Sequence, residues 1–417
     1  SPWPRAIRSP GGGDNLFLAS IVAVEADTGK YVWHYQTVPG DTWDYTAVQH
    51  MVLADLDIDG HVRKVIMQAP KNGFYYVIDR ATGELISAKN IVPTNWATHI
   101  DPETGRPVET LDARYDETLA AKVISPGAAG AHNWEPMSYS PDTGLVYIPA
   151  KQQPLSYRLD ENFKTQPLPS WNIGINNWDP IEEEIPLAPE FGDFFQGFLL
   201  AWNPITQEEE WRVPHTTMQN GGVLTTAGNL VIQGTADEEL VAYDATTGER
   251  LWHAATQTGV LAPPITYSVD GDQYIAVVVG WGAVTANISG FALNADGSRR
   301  NISRILAYKI GGSAALPPAP ELVAKSVLVE SFGSLEQVGA GGALYARYCQ
   351  SCHGALVISG GVLPDLRYSA ITTSTEAFHS IVLQGIYLDR GMASFAPVLS
   401  EEDAEAVRAY IADVANQ

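Results

Sequence analysis

The sequence predicts two units, an all-β propeller followed by a small all-α domain. Three observations predict them. An A-x-[DE]-x-x-T-G-x-x-x-W pattern recurs between Ala23 and Trp252, a proline-rich stretch lies beyond it, and apolar residues at helical spacing then surround the only two cysteines.

The repeat comes first. Ala23 to Trp33 and Ala242 to Trp252 fit the pattern in full. Val77 to Ser87 keeps the Asp, Thr and Gly but has Val for the first Ala and Ser for the Trp. Ala201 to Trp211 keeps the Ala, Thr and Trp, with Asn203 for the acid and Gln207 for the glycine. A more degenerate copy lies at Asp142, Thr143 and Gly144 and ends at Tyr147. Asp and Thr ahead of a Gly make a tight turn in which the Gly takes a positive φ, so each copy reads as a hairpin. A sheet of four strands cannot bury both faces alone, and the tryptophan is placed to pack between one blade and the next. The spacing of roughly 40 to 65 residues is that of propeller blades with insertions. About five copies are visible, and the first stands close to residue 23. The chain starts directly before a repeat, so the N-terminal part of a larger propeller is expected to lie outside it.

From Gly311 through Pro320 the composition turns to Gly, Ala and Pro, which hold a chain extended and deny it a helix. Beyond it, Leu344 to Tyr348 leads helically into the cysteines. Ser400 with Asp403 resembles a capping box, and Val407, Tyr410, Ile411 and Val414 recur at helical spacing. The expected domains are a propeller over 1–312, a linker over 313–326 and a helical domain over 327–417.

Composition narrows the function. The 417 residues are 45% hydrophobic and 18% charged, enough apolar residues to fill globular cores. With 25 basic and 48 acidic residues the net charge is −23, which repels phosphate backbones and anionic lipid, so no nucleic-acid partner is expected. The longest apolar stretch, around Tyr274 to Ala283, is too short to span a bilayer. Neutral substrates or partners with a basic face suit such a surface.

Cys349-Gln350-Ser351-Cys352-His353 is the attachment signature of c-type haem. Its spacing lets both thiols bond the two vinyl groups on one porphyrin edge and sets His353 beneath the iron. A redox disulfide would want a βαβ setting, and a zinc site another Cys or His pair; neither is present. Met392, beside a glycine in a loop before the last helix, is the expected second axial ligand, and a thioether there raises the reduction potential. A core methionine is the bland alternative for Met392, and His379 is the competing ligand. Leu363-Pro364-Asp365-Leu366 is placed to pack against the haem edge.

Propeller repeats, linker and C-terminal C-x-x-C-H together resemble the quinohaemoprotein alcohol dehydrogenases that depend on pyrroloquinoline quinone (PQQ), of the soluble periplasmic type with one haem. Local matches are Gly13-Asp14-Asn15-Leu16, Pro39 to Tyr45, Ala69-Pro70-Lys71-Asn72-Gly73, Gly130 to Pro136 and Asn220 to Gly228. The resemblance implies an eight-bladed propeller with PQQ and Ca²⁺ at its centre, haem c beyond it, and a periplasmic location. It implies that Asp44 is the general base and lies near Ca²⁺, where a carboxylate stays ionised. It implies Lys71 beside the quinone oxygens, Asn133 hydrogen-bonded to the cofactor with Trp134 adjoining, and Asn220 near the quinone. Trp281 is either a wall of the substrate pocket or propeller core, and Asp41 is structural. The implied reaction oxidises primary or secondary alcohols to aldehydes or ketones. Electrons then leave through the haem to an external acceptor such as a small redox protein or a quinone chain.

The departures from the family all fall on the N-terminal side. The disulfide between adjacent cysteines is absent, as are the Ca²⁺-binding glutamate and asparagine, the arginine near the quinone and the tryptophan floor. An N-terminal segment or a second chain is therefore expected to complete the propeller. Two other readings stay open: a non-catalytic haem c electron-transfer or binding module on a partial propeller, and a dehydrogenase for sugars or polymeric alcohols, since loops set the substrate.

Overall fold

The computed structural model describes residues 3–115, 120–167, 169–170, 172–176, 196–282, 301–321 and 325–417. It is a β-propeller followed by a small helical domain. Five antiparallel sheets form the blades. Blade 1 has the strands Ser20–Val24 and Tyr31–Gln36. Blade 2 has Val52–Ile58, His61–Gln68, Phe74–Asp79 and Leu85–Asn90. Blade 3 has Ser138–Ser140, Leu145–Gln152, Gln196–Asn203 and Glu208–His215. Blade 4 has Val223–Thr226, Leu230–Gly234, Glu239–Asp244 and Arg250–Ala255. Blade 5 has Ile265–Val269, Asp272–Val279 and Arg304–Lys309. In blade 3 the strand Leu145–Gln152 is buried along its whole length, as expected where neighbouring blades cover both faces of a sheet.

The repeated pattern has a physical basis at every position. Its Asp accepts two backbone N–H groups of the turn, as Asp79 Oδ1 does from Ala81 and Thr82 and Asp244 Oδ1 from Thr246 and Thr247. Its Ala and Trp are cross-strand partners: Ala23 pairs with Trp33, Ala201 with Trp211 and Ala242 with Trp252. A bulge follows the alanine position in all four hairpins, which sharpens the local twist. The tryptophan then docks on the glycine of the next blade. A Cβ on Gly83 would lie 2.7 Å from the Trp33 indole, and one on Gly248 would lie 2.7 Å from that of Trp211. Each indole N–H also donates to the neighbouring turn, Trp33 to Arg80 O and Trp211 to Ala245 O, both at 3.2 Å.

The imperfect copies are imperfect together. Between blades 2 and 3, Ser87 replaces the tryptophan and Gln207 replaces the glycine. Gln207 keeps the glycine-like φ of +58° and reaches into the space an indole would fill, donating from Nε2 to Ser87 Oγ at 2.9 Å. The copy at Asp142 is not a separate blade. It is the turn between the first two strands of blade 3, which the Ala201 copy closes, while blade 5 carries no copy.

In the helical domain, α1 (Leu335–Tyr348), α2 (Gln350–His353), α3 (Thr375–Val382) and α4 (Glu401–Ala415) enclose one apolar core. The capping box forms, with Ser400 Oγ accepting from Asp403 N and Asp403 Oδ2 from Ser400 N. Helices α1 and α4 cross closely at Gly341, where a Cβ would collide with Ala406 O. The extended segment before α1 lies along the propeller: Leu316 packs on the core between blades 4 and 5, and Gln257 donates to Pro317 O at 3.1 Å. Among the described residues no helix is long and apolar enough to cross a membrane.

Candidate redox sites

The loop from Pro39 to Thr46 joins blade 1 to blade 2 and is almost wholly buried. Asp41, inside it, accepts the N–H of Trp43 at 2.9 Å, and burial pushes its carboxyl above the usual range. That is the structural part expected of it. Asp44 has φ +71°, a left-handed conformation uncommon outside glycine, and its carboxylate is part-exposed. Lys71, which follows the second strand of blade 2, is buried and donates from Nζ to Asp44 Oδ2 at 3.2 Å.

The other propeller candidates lie along the same rim. Ala131 N donates to Lys71 O, Lys151 N donates to Ala131 O, and Lys151 pairs with Gly197. Gly130 makes this possible, because a Cβ there would lie 2.7 Å from Lys71 Cα. Asn133 Nδ2 donates to Ala129 O at 3.0 Å, and Trp134 beside it is 40% exposed. Asn220 is more constrained: its Nδ2 donates to Thr217 O and its Oδ1 accepts from Ala236 N, so its amide already serves the backbone. Trp281 is buried in a small cluster with Ala236 and Leu261.

Sequence reasoning missed four buried polar residues here, His132, Glu135, Lys151 and Arg114. His132 is fully buried, with ring nitrogens 2.7 Å from Ala69 O and 2.6 Å from Glu135 O, and burial pulls its pKa below the usual imidazole value. Glu135 and Lys151 form a buried pair at 3.8 Å, whose second carboxylate oxygen has no hydrogen bond in the structure. Arg114 grips the Asp44 loop. His132 and Glu135 lie inside the Gly130 to Pro136 match without having been singled out in it, whereas Lys151 and Arg114 belong to no matched segment.

An ammonium, an amide and a half-exposed indole are the right chemistry for an anionic planar quinone, so Lys71, Asn133 and Trp134 fit PQQ. Calcium is different. Among the described residues no three His, Cys, Asp or Glu side chains converge, and Asp44 alone is not a calcium site.

In the helical domain Cys349 and Cys352 sit one helical turn apart, with His353 next to Cys352. Burial pushes the Cys349 thiol up to about 12. His353 Nδ1 lies 3.1 Å from Pro364 O, an acceptor only, so Nδ1 is the protonated nitrogen and Nε2 is the one that could ligate a metal. Burial lowers the His353 pKa, which favours the neutral, metal-binding form. Met392 packs against the core that holds Cys349, Leu366 and Phe395, whereas His379 Nε2 lies 3.1 Å from Glu405 in α4. Leu366 is buried, Leu363 is exposed, and Asp365 pairs with Arg367. The loop that follows His353 also meets the propeller. A Cβ on Gly361 would lie 3.6 Å from that of Asn301, whose Oδ1 accepts from Trp281 N at 2.8 Å.

These two sites define a two-domain redox protein of the quinohaemoprotein class. Residues 7–99 and 197–275 match the glucose/ethanol/alcohol dehydrogenase β-propeller domain, and residues 336–411 match cytochrome c oxidase cbb3-type subunit III. The chain is 47% identical over 417 residues to quinohemoprotein alcohol dehydrogenase ADH-IIG of Pseudomonas putida, covering 99% of this chain and 57% of that protein. The solved ADH-IIG structure superposes with a TM-score of 0.90 over 100% of this chain and 61% of its own. That of Comamonas testosteroni quinohemoprotein alcohol dehydrogenase gives 0.84, at 42% identity over 100% of this chain and 60% of its own. The chain belongs to the quinohaemoprotein alcohol dehydrogenase family, whose cofactors are PQQ and haem c, and spans rather more than half the length of these relatives.

Proposed function

We propose that this chain supplies the base and the electron exit of a PQQ-dependent oxidation of primary or secondary alcohols. The observation that carries the reading is the Asp44 carboxylate, held in a left-handed turn 3.2 Å from the Lys71 ammonium. Held by Lys71, Asn133 and Trp134, PQQ would supply an electrophilic carbonyl for the hydride of the alcohol carbon, and haem c would supply a one-electron relay. Asp44 accepts the hydroxyl proton as the carbonyl product forms, the part of a general base. Lys71 steadies that carboxylate and offers positive charge to the cofactor's oxygens. Asn133 orients the cofactor by hydrogen bonding and Trp134 offers an aromatic face.

In the helical domain, Cys349 and Cys352 carry the haem covalently, and His353 and Met392 ligate its iron. The contact of Gly361 with Asn301, and of Asn301 with Trp281, supports direct passage of electrons from propeller to cytochrome. An external acceptor takes them from there. The family resemblance supports a periplasmic location. Apolar side chains are exposed on the blades at both ends of the described arc, among them Val22, Tyr31 and Val32 in blade 1 and Ile265, Tyr267 and Val269 in blade 5. Further propeller blades, from a contiguous segment or a second chain, would cover them.

Absorbance of the haem in the PQQ-loaded holoenzyme tests this reading. Anaerobic addition of a primary alcohol is expected to produce the reduced-haem bands, and omission of PQQ to abolish them. A haem that stays oxidised under alcohol but accepts electrons from a chemical reductant would overturn the dehydrogenase reading in favour of a non-catalytic electron-transfer module. Reduction by sugars alone would move the substrate class.

A further inference from the structure

We propose that Arg114, flanked by Ala113 and Tyr115, is the positioning clamp that fixes Asp44. The inference rests on reading Asp44 as the base. A non-glycine residue at positive φ persists only where its surroundings over-determine it, and such residues cluster at functional sites. Lys71 holds the Asp44 carboxylate, and Arg8 and Tyr157 donate to Asp41 O and Trp43 O; most of the remaining grip comes from three consecutive residues about 70 positions further along the chain.

Arg114 is 6% exposed and lies under the Pro39 to Trp43 segment. Its Nη1 donates to Gly40 O at 2.6 Å and its Nη2 to Pro39 O at 3.3 Å. Its guanidinium carbon stands 4.3 Å from the centre of the Trp43 ring, in cation–π contact. Glu109 holds the opposite edge of the fork, accepting from Nε at 2.8 Å and from Nη2. The neighbours complete the grip. Ala113 O accepts the Trp43 indole N–H at 3.0 Å, and the Tyr115 hydroxyl donates to Thr42 O at 2.9 Å.

The clamp thus engages the backbone of residues 39, 40 and 42 and the side chain of residue 43, and stops immediately before Asp44. A guanidinium suits this work because its planar fork bonds two carbonyls and a carboxylate while one face stacks on an indole. A lysine ammonium has neither the fork nor the plane. Arg114 touches none of the reacting groups, so it acts through the conformation it imposes on Asp44. A displacement of about 1 Å at a catalytic group costs on the order of 10²-fold in rate.

The test compares Arg114→Met, Arg114→Lys and Tyr115→Phe with Asp44→Asn in the PQQ- and haem-loaded holoenzyme. In Arg114→Met, kcat is expected to fall on the order of 10²-fold. Arg114→Lys should recover only part of that loss, and Tyr115→Phe should show the mildest fall. KM and the Kd for PQQ, followed by its absorbance, should stay within about threefold, because the clamp contacts neither ligand. Crystal structures supply a second readout, in which Asp44 of Arg114→Lys leaves the positive-φ region. A folded Arg114→Met with wild-type kcat overturns the clamp, and so does a slow variant in which Asp44 keeps its backbone conformation. Should Arg114→Met fail to fold, Tyr115→Phe decides on the same two readouts. Asp44→Asn separates the two claims. If it is slow while the clamp variants turn over normally, only the clamp falls; if it turns over normally, the base assignment falls and the clamp with it.

Discussion

Cys349, Cys352 and His353 are neighbours in sequence and remain neighbours in space, whereas Asp44 and Lys71 are 27 residues apart and meet only because two loops are held against each other. The haem site is assembled by one helical turn and needs a single outside contact, Pro364 O, to orient its imidazole. The proposed quinone rim is assembled by backbone: Lys71 O, Ala131 and Lys151 in one row, with the carbonyls of the Asp44 loop tied to residues 113–115. A site of the first kind survives any fold that preserves the helix. A site of the second kind depends on the packing between blades, so damage far from the chemistry should reach it.

The haem side offers the largest expected effect. Met392→Ala should abolish the weak near-infrared sulfur-to-iron band and lower the reduction potential, since a thioether ligand raises it. An optical spectrum of the oxidised protein and a potentiometric titration check this. Persistence of the band would reassign the second ligand and make the haem site less local than the comparison holds.

A smaller effect is expected between blades, where the two docking solutions can be set against each other. Trp211→Ala removes a part-buried indole packed on Gly248 and should cost roughly 2–4 kcal/mol, somewhat below the range for fully buried tryptophans. Gln207→Ala removes one hydrogen bond to Ser87 and should cost about 1 kcal/mol. Thermal or denaturant unfolding of the two variants gives the ranking. Equal losses would show that the Ser87–Gln207 pair is no weaker a joint than Trp–Gly.

The same contrast explains what could be read in the sequence. The Ala, Asp, Gly and Trp of the repeat are legible because each answers a local or nearest-neighbour demand: a cross-strand partner, a turn acceptor, a positive φ, a docking surface. The Val77 and Ala201 copies looked worn, yet Ser87 and Gln207 are one substitution made on both sides of an interface, which no single copy reveals. The Asp142 turn misled because a tight Asp-Thr-Gly turn serves the first hairpin of a blade as well as the last. The C-x-x-C-H site was legible in full as a motif, and its orienting carbonyl was not, because any residue type supplies a carbonyl. Arg114 was invisible for the same reason: its backbone partners are carbonyls of a distant loop. His132 lies inside the Gly130 to Pro136 match, but its contact with Ala69 O comes from a distant loop and could not be read there. Asn220 was singled out by its neighbours in sequence, and the structure shows its amide engaged with Thr217 O and Ala236 N.

The central claim is that Asp44 accepts the alcohol proton, and one rate tests it. Asp44→Asn keeps the size of the side chain but cannot take a proton. In the holoenzyme, with PQQ occupancy matched by absorbance, the rate of haem reduction after anaerobic mixing with saturating alcohol should fall by roughly 10²–10⁴-fold, the usual worth of general-base catalysis. Reduction of the same haem by dithionite should be unchanged. Near-normal alcohol-driven reduction in the PQQ-loaded variant would contradict the account and would leave the Asp44–Lys71 pair a structural contact of the propeller rim.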